Sequence, residues 1–222
     1  MTGNPSIIFN DVGVRYSTNR TTTWALREVN LTLRSGLTIV LGVSGSGKST
    51  LLSLAGLLRR PTQGSVSFFG KPTESIDATS MEFLRADCVG FVFQDHALVP
   101  HLSLLENVML PLLVRRSRAS TEQARALLDK IGLADHVDKL PSEVSFGQAQ
   151  RAALCRGMIR QPRVILADEV TASLDAPSAR IILDMLREAA EAGVTVVFAT
   201  HDERLASLAD TVVELEDGGR VR

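Results

Sequence analysis

The segment Gly42-Val43-Ser44-Gly45-Ser46-Gly47-Lys48-Ser49-Thr50 constrains the fold of this chain more than any other. It matches the phosphate-loop pattern G-x-x-x-x-G-K-[ST] at every fixed position. The apolar run before it, residues 37–41, is typical of a buried parallel strand, and residues 50–58 after it are rich in helix-forming side chains. A strand, a glycine-rich turn and a helix in this order are what a phosphate-binding loop requires. A turn that matches by chance is the alternative, and the flanking segments disfavour it.

The residue types within this loop suit an anionic ligand. Three glycines allow the backbone to bend around a phosphate and present its N–H groups, and the following helix directs its positive end at the same anion. Lys48 would reach the β- and γ-phosphates, and the Ser49 hydroxyl would coordinate Mg²⁺. The sequence therefore predicts a nucleotide-phosphate site that comprises Gly42, Ser44, Gly45, Ser46, Gly47, Lys48, Ser49 and Thr50.

Length and charge limit what else the chain can be. A chain of 222 residues, 45% of them hydrophobic, suits one medium domain or one domain with an inserted lobe. The net charge of −1 gives no support for a nucleic-acid-binding surface. The short cluster Arg115-Arg116-Ser117-Arg118 is better explained as a solvated helix end. We therefore expect no nucleic-acid partner.

Neither a membrane-spanning segment nor a signal peptide is predicted. No apolar run approaches the roughly 18 residues that a spanning helix needs, and Met1–Pro5 lacks the charged and apolar regions of a signal peptide. We therefore expect a cytoplasmic location unless a partner holds the chain at a membrane. In that reducing compartment, Cys88 and Cys155 are expected to be small core-type residues without a disulfide.

Alternating apolar residues predict an antiparallel β lobe beside the phosphate-loop strand. Its strands are residues 7–16, 29–33 and 65–69. In the first of them, Val12, Val14 and Tyr16 alternate onto one face. A hairpin is also predicted, in which Glu216-Asp217-Gly218 joins residues 212–215 to residues 219–221.

Short apolar runs predict a mostly parallel sheet, and they comprise residues 37–41, 89–93, 164–167 and 194–199. Residues 74–87 are mixed and polar, with one short helix. From about residue 98 to 160 the chain is helical: residues 103–116 form one apolar helix, and Ser120 begins another that ends at Gly132. A later helix begins at about Pro177. The predicted fold class is therefore α/β, with a mostly parallel sheet, an antiparallel β lobe and an inserted helical subdomain.

Polar residues follow each of the predicted parallel strands. The phosphate loop, Gln94, the pair Asp168-Glu169 and His201 each come directly after a short apolar run. Functional residues of α/β sheets gather at the carboxyl ends of the strands, so we expect these four groups to meet. One carboxylate of the pair would hold Mg²⁺ and the other would polarise an attacking water. An acidic pair that merely faces solvent is the alternative.

The segment Val144-Ser145-Phe146-Gly147-Gln148-Ala149-Gln150-Arg151 resembles the L-S-G-G-Q-x-Q-R signature of ATP-binding cassette (ABC) ATPases. Further marks of that family follow in order. Tyr16 matches the aromatic residue that stacks on adenine, although packing on the core face of its strand is an open alternative. Gln94 matches the Q-loop glutamine, Ser173-Leu174-Asp175 the D-loop, and His201 the switch histidine. The resemblance covers nearly the whole chain.

The resemblance implies a P-loop NTPase that binds ATP and Mg²⁺. Residues 1–95 and 161–222 would form the nucleotide-binding core with the β lobe, and residues 96–160 the helical signature subdomain. Glu169 would be the general base and His201 would contact the γ-phosphate. The implied catalytic residues are Glu169, His201, Lys48 and Gln94, and the implied metal ligands are Ser49, Gln94 and Asp168.

The resemblance also implies a homodimer that closes head to tail on two ATP molecules. Each ATP would meet the phosphate loop of one subunit and Ser145, Gly147, Gln148 and Asp175 of the other. Ser145 would begin a helix whose positive end faces that ATP. Ser145 and Gln148 also fit a simple capping box, which is the structural alternative.

Two positions depart from the family pattern. Phe146 replaces the first signature glycine, and Val170 replaces the proline of the D-E-P-T pattern. Residues 91–108 and 166–169 look like the bacterial lipoprotein-release and macrolide-export branch. That likeness implies a separate transmembrane permease subunit with an extracytoplasmic domain, and a peripheral position on the cytoplasmic face of the membrane.

Several functions compete at this point. The main prediction is an ATP-hydrolysing subunit that powers export, lipoprotein release or mechanotransmission. The first alternative is an ATP-gated binding module in which Phe146 weakens hydrolysis. A soluble ABC ATPase acting on nucleic acid or ribosomes is disfavoured by the single cassette and the near-neutral charge. A small-molecule kinase would have no use for the Ser145–Arg151 turn or for His201.

Overall fold

The computed structural model describes residues 6–17, 22–113 and 120–220, without the side chain of Arg220. The expectations for Met1–Pro5, for the basic cluster at 115–118 and for Val221 lie outside these residues. Within the described part of the chain, no helix combines the length and apolarity needed to cross a membrane.

The described strands form two sheets. A four-stranded antiparallel sheet has the order β2-β1-β4-β5, and a six-stranded sheet has the order β10-β9-β3-β8-β7-β6. In the second sheet all neighbouring strands are parallel except the hairpin β9–β10. The strands are β1 (Ile7–Ser17), β2 (Thr22–Leu33), β3 (Gly36–Leu41), β4 (Gln63–Phe68), β5 (Lys71–Pro72), β6 (Val89–Val92), β7 (Val164–Asp168), β8 (Thr195–Thr200), β9 (Thr211–Glu216) and β10 (Gly219–Arg220).

Helices connect the strands and cover the larger sheet. The α-helices are α1 (Lys48–Ala55), α2 (Ala78–Cys88), α3 (Leu104–Leu113), α4 (Thr121–Lys130), α5 (Phe146–Met158) and α6 (Ala176–Glu191). Short 3₁₀ turns lie at Thr73–Ser75, Ala134–His136, Pro141–Glu143 and Glu203–Leu208. The mostly parallel sheet, the antiparallel sheet and the helices confirm the predicted α/β fold class.

Two apolar cores hold these layers together. One lies between the two sheets around α1, where Leu51 and Leu54 are buried against Phe9, Phe68 and Val197. The other lies on the opposite face of the larger sheet, where residues of α3, α4, α5 and α6 pack on β3 and β8. Because both faces of the central strands are buried, those strands read as continuous apolar runs in the sequence.

The cysteines behave as small core residues. Cys155 is completely buried in α5 and its thiol lies 3.4 Å from the carbonyl oxygen of Leu127. Cys88 is partly buried at the end of α2, and both thiols are free. Burial raises the pKa of Cys155 to about 12, so its thiol stays neutral and unreactive. The expectation of two unpaired cysteines is confirmed.

The structure differs from the sequence expectation at β1. Val12 and Val14 are buried, as predicted, whereas Tyr16 is 44% exposed. Register shifts on either side of Val14 interrupt the two-residue alternation against β2. Tyr16 therefore leaves the core face that Val12 and Val14 occupy.

Capping residues set the boundaries of α2 and α4. The Ser120 hydroxyl accepts a hydrogen bond from the Gln123 N–H, so α4 begins where the sequence predicted, and Gly132 follows its end with a φ of 71°. The polar stretch 74–87 contains more helix than expected, because the Asp77 carboxylate caps an 11-residue α2.

Candidate functional site

The carboxyl ends of four parallel strands open into one cavity of about 600 Å³ beside the phosphate loop. Strands β3, β8, β7 and β6 are consecutive neighbours, so the residues that follow them lie along one edge of the sheet. We call this space the phosphate-loop cavity. Its lining comprises Ala25, Val43, Ser44, Gly45, Gly47, Lys48, Ser49, Thr50, Gln94, Asp168, Glu169 and His201. The structure thus brings together the four groups that the sequence separates by up to about 160 positions.

Glycine is required at two points of the loop. Gly47 has a φ of 104°, and a Cβ there would lie 2.4 Å from the carbonyl oxygen of Ala25. A Cβ at Gly42 would lie 2.3 Å from the Ser46 hydroxyl oxygen. Ser46 is buried beneath the loop and does not line the cavity. The loop therefore exposes backbone N–H groups because no side chain fits at these two positions.

Lys48 lies at the base of the cavity with 6% of its side chain exposed. Its Nζ donates to the carbonyl oxygens of Gly42 at 2.6 Å and Val43 at 3.0 Å. The same atom lies 3.4 Å from Glu169 Oε1. Lys48 is thus a nearly buried cation with three oxygen neighbours, and its place directly after Gly47 keeps it beneath any bound phosphate.

Glu169 lies between two positively polarised groups. Its Oε2 is 2.8 Å from His201 Nδ1, while its Oε1 faces Lys48. The backbone of Glu169 has a φ of 50°, which is unfavourable for a side chain of this size, and its N–H donates to the Ala199 carbonyl at 2.9 Å. The strained turn after β7 therefore aims the carboxylate into the cavity, away from the sheet.

Asp168 is the other carboxylate of the pair, and it suits a hard cation. Burial raises its pKa, as does the neighbouring Glu169 charge, while a hydrogen bond from Ser49 and the Lys48 charge act in the opposite direction. Its Oδ1 is buried without a hydrogen-bond partner. A buried, unpaired carboxylate oxygen beside a serine hydroxyl is the partial ligand set that Mg²⁺ completes with phosphate and water oxygens.

The described residues contain no ready-made metal cluster. No group of three or more His, Cys, Asp or Glu side chains in residues 6–17, 22–113 and 120–220 could hold an ion. A cation at Asp168 and Ser49 would therefore rely on oxygens of the nucleotide, which is how Mg²⁺ usually binds in nucleotide sites. Gln94 also lines the cavity and offers a further amide oxygen.

The Ser145–Gln148 turn begins α5 and forms a reciprocal capping box. The Ser145 hydroxyl accepts from the Gln148 N–H at 3.2 Å, and Gln148 Oε1 accepts from the Ser145 N–H at 2.8 Å. Phe146 is 42% exposed, and its ring lies 5.5 Å from that of His96. Ser145 and Gln148 therefore do form the capping box that was the structural alternative, and this capping box leaves the N-terminus of α5 and the Phe146 side chain accessible.

The same turn packs against the start of α6. A Cβ at Gly147 would lie 2.7 Å from the Ser178 hydroxyl oxygen, so a larger residue here would displace the Ser178 side chain. Asp175 caps α6 by accepting from the Ser178 N–H at 3.1 Å, and hydrogen bonds from Ser178 lower the pKa of Asp175. Ser145, Gly147, Gln148 and Asp175 thus share one surface, which does not line the phosphate-loop cavity of its own chain.

Tyr16 lies next to the cavity. Its hydroxyl is 3.5 Å from Thr50 Oγ1, and Thr50 belongs to the cavity lining. Sequence reasoning missed Ala25, whose carbonyl abuts Gly47, because an alanine in a strand carries no chemical signal. It also missed Gln150 and Arg156 of α5, which bind the backbone of the Gln94 loop. Their sequence spacing gives no hint of that contact.

Comparison with known proteins identifies the family. The ABC transporter family matches over residues 26–172. The chain is 42% identical to the lipoprotein-releasing system ATP-binding protein LolD of Anaeromyxobacter dehalogenans over 96% of the chain and 92% of that protein. It is 38% identical to the probable export ATP-binding/permease protein MacB of Pseudomonas entomophila over 97% of the chain, and it spans only 33% of that longer protein.

A solved structure agrees with these relatives. The dimeric post-hydrolysis state of the ATP-binding cassette MJ0796, bound to ADP and Pi, superposes with a TM-score of 0.90 at 33% identity, covering 97% of both chains. The sequence match, the structural match and the placement of the motif residues all agree. The chain therefore belongs to the ABC transporter family, and it is an ATP-binding cassette ATPase similar to the LolD and MacB nucleotide-binding components.

Proposed function

We propose that this chain hydrolyses ATP in a Mg²⁺-dependent reaction and powers a separate membrane subunit. The observation that carries the proposal is the convergence of Lys48, Glu169 and His201 on one cavity next to the phosphate loop. The loop N–H groups and Lys48 bind the phosphates of ATP, since both are positive groups at the N-terminus of α1. Ser44, Gly45, Gly47 and Thr50 line the remainder of this cradle, and Gly42 and Ser46 support the loop from beneath.

Glu169 acts as the general base in this proposal. In the nucleotide-free chain its carboxylate is shared between Lys48 and His201. The phosphates of ATP compete with Glu169 for Lys48, because they carry more negative charge. Glu169 is then free to accept a proton from the attacking water, while His201 stays beside it and contacts the γ-phosphate. Gln94 lines the same cavity and orients that water.

Mg²⁺ would be held by Asp168, Ser49 and Gln94. When bound, it supplies positive charge that stabilises the negative charge developing on the phosphate oxygens. Asp168 contributes a carboxylate oxygen that already lies buried without a partner. Ser49 is the first residue after Lys48 on α1, so one helix turn fixes both the metal ligand and the phosphate-binding amine.

A second copy of the chain completes the site. Ser145, Gly147, Gln148 and Asp175 lie together on a surface away from the cavity, so they can contact only the nucleotide of another subunit. The accessible N-terminus of α5 suits a γ-phosphate. The dimeric structures of MJ0796 support a dimer, and in our proposal its two copies close head to tail on two ATP molecules. Tyr16 stacks on adenine in this assembly.

The membrane subunit docks beside the Gln94 loop. A cleft of about 380 Å³ lies there, and its lining includes the exposed Phe93 together with Ala97, Pro111 and Arg160. The relatives support a permease partner, since MacB proteins carry both an ATP-binding and a permease function in one chain.

The chain would then be peripheral on the cytoplasmic face, and its permease would carry an extracytoplasmic domain. Residues 96–160 would form the helical signature subdomain, and residues 1–95 and 161–222 the nucleotide-binding core with the β lobe.

Glu169→Gln tests the proposed chemistry. We expect Mg²⁺-dependent phosphate release to fall by about 10²- to 10⁴-fold, because the amide cannot accept the proton. ATP binding should persist, and ATP should convert this variant to a dimer in size-exclusion chromatography with light scattering. Glu191→Gln is the matched control, since Glu191 lies on α6 in an exposed ion pair with Arg187. A Glu169→Gln protein that hydrolyses ATP at the parent rate would disprove the role of Glu169.

A further inference from the structure

Arg59 contacts Tyr16 in a way that the sequence did not suggest. The guanidinium carbon of Arg59 lies 4.1 Å from the centre of the Tyr16 ring. At this distance a cation and an aromatic face attract each other. The Nη1 atom of Arg59 is buried and has no hydrogen-bond partner. A guanidinium nitrogen without an acceptor is costly, so the ring face is its principal compensating contact.

The chain segment that carries Arg59 is fixed to the strand that carries Tyr16. The Thr62 N–H donates to the Gly13 carbonyl at 2.8 Å, and the Arg15 N–H donates to the Thr62 hydroxyl at 3.1 Å. These two bonds join the turn after α1 to β1, immediately before Tyr16. The Arg59–Tyr16 contact is therefore built on a constrained backbone at both ends.

The contact leaves one face of the ring open. The guanidinium carbon lies over the ring and the Nη1 atom bonded to it is buried, so Arg59 covers the protein-facing side of the ring, whereas Tyr16 as a whole is 44% exposed. The exposure therefore belongs to the opposite face and the ring edge. The Tyr16 hydroxyl lies 3.5 Å from Thr50 Oγ1, and Thr50 lines the phosphate-loop cavity, so the ring lies next to that cavity.

We propose that Arg59 is a positioning residue of the nucleobase site: it covers the inner face of Tyr16 and holds the ring so that a purine base stacks on the outer face. The inference rests on the proposed ATP-binding function. Fixing the ring before the ligand arrives removes part of the ordering cost of binding. A base that stacks on aromatic side chains gains free energy from its whole π-face, so a misoriented ring lowers affinity for the base alone.

The test compares a nucleotide with a ligand that has no base. ATP and inorganic tripolyphosphate are titrated, each with Mg²⁺, into the parent and into Arg59→Ala by isothermal calorimetry. We expect Arg59→Ala to weaken ATP binding by about 3- to 30-fold, the range of a cation–π contact. Tripolyphosphate binding should change by less than about twofold, because the phosphate loop is untouched. Equal weakening of both ligands, or no change in ATP binding, overturns the proposal.

Two further variants separate stacking from charge. Arg60→Ala is the control, since it removes the same charge from the adjacent exposed arginine, whose guanidinium donates to the Ile76 carbonyl oxygen at 2.6 Å, and it should leave ATP binding unchanged. Arg59→Lys keeps the charge and loses the planar fork, so its ATP affinity should approach that of Arg59→Ala. An Arg59→Lys variant that binds ATP like the parent overturns the stacking argument. If the parent itself binds tripolyphosphate but gains nothing from the adenosine, the nucleobase site is absent and this inference fails. If the parent binds neither ligand, the proposed function fails first.

Discussion

Arg156 of α5 offers the sharpest test of how the structure holds the Gln94 loop. Its guanidinium donates to the carbonyl oxygens of Ala97 and His96, the latter at 2.8 Å. Both loop residues have a positive φ, 53° at His96 and 47° at Ala97, which non-glycine residues rarely adopt. Burial lowers the pKa of Arg156, which nevertheless stays charged at neutral pH. Arg156→Met keeps most of the side-chain length and removes both donors.

The loss of stability expected in Arg156→Met can be estimated from these contacts. A hydrogen bond from a charged donor contributes about 1.5–3 kcal/mol, so two bonds set an upper limit of about 6 kcal/mol. Each left-handed non-glycine residue costs roughly 1–2 kcal/mol, and the loop recovers that strain when it relaxes. The relaxation offsets part of the loss. We therefore expect Arg156→Met to lower the free energy of unfolding by about 2–4 kcal/mol.

The assay is urea unfolding followed by far-UV circular dichroism, with amide hydrogen exchange as a local readout. Exchange should accelerate most at residues 95–98, and kcat should fall because Gln94 belongs to the same loop. Arg204→Met is the control, since Arg204 also donates from two nitrogens, in its case to the Asp202 carboxylate, but its side chain is 89% exposed. We expect that variant to lose less than about 1 kcal/mol. Unfolding free energies for Arg156→Met within about 0.5 kcal/mol of the parent would refute the reasoning.

Three further predictions concern single side chains. Phe146→Gly should lower the free energy of unfolding by about 1 kcal/mol in urea unfolding, because glycine disfavours the first turn of α5. If the parent has almost no ATPase activity and Phe146→Gly gains it, the chain is the ATP-gated binding module. Asp168→Asn should raise the Tm of the Mg²⁺-free protein at neutral pH and reduce the ATPase rate. Burial raises the pKa of Asp168, so folding disfavours its ionised form, and the stability contributed by the protonated carboxyl group is lost as pH rises through the folded-state pKa; an unchanged Tm contradicts this. Folding raises the pKa of Cys155 from 9.0 to about 12, so between these two pH values the unfolded chain loses the thiol proton first and the free energy of unfolding should fall by about 1.4 kcal/mol per pH unit. In Cys155→Ala the free energy of unfolding should fall less steeply with pH, and an identical fall would contradict the burial of the thiol.

Much of the fold could be predicted because its signals are local. Apolar runs of four to six residues predicted β3, β7 and β8, since both faces of these strands are buried, and they also predicted the edge strand β6, which is fully buried on one face only. The fixed pattern of the phosphate loop placed Lys48 and Ser49, because each position of such a motif has its own chemical requirement.

Other features depend on contacts between distant residues, and the sequence does not display them. The ion pair between Lys48 and Glu169 requires the register of β3 against β8 and β7. The exposure of Tyr16 follows from register shifts in β1, which cannot be predicted from the residue types of that strand. Arg59 lies on that ring in a segment that Thr62 joins to Gly13 and Arg15 of β1. In each case tertiary geometry decided the outcome.

The position of β3 has a consequence for synthesis of the chain. β3 leads directly into the phosphate loop, yet the two strands that pair with it, β8 and β9, come much later in the sequence. Leu41 pairs with Thr200 of β8 on one side and with Glu214 of β9 on the other. A nascent chain emerges from its N-terminus, so it presents this apolar strand with both edges unpaired until residues beyond 195 have been made. Pairings this distant in sequence form slowly, because the entropy of loop closure is lost before they add stability. The first appearance of nucleotide binding on the ribosome would therefore mark the moment when the central sheet has closed.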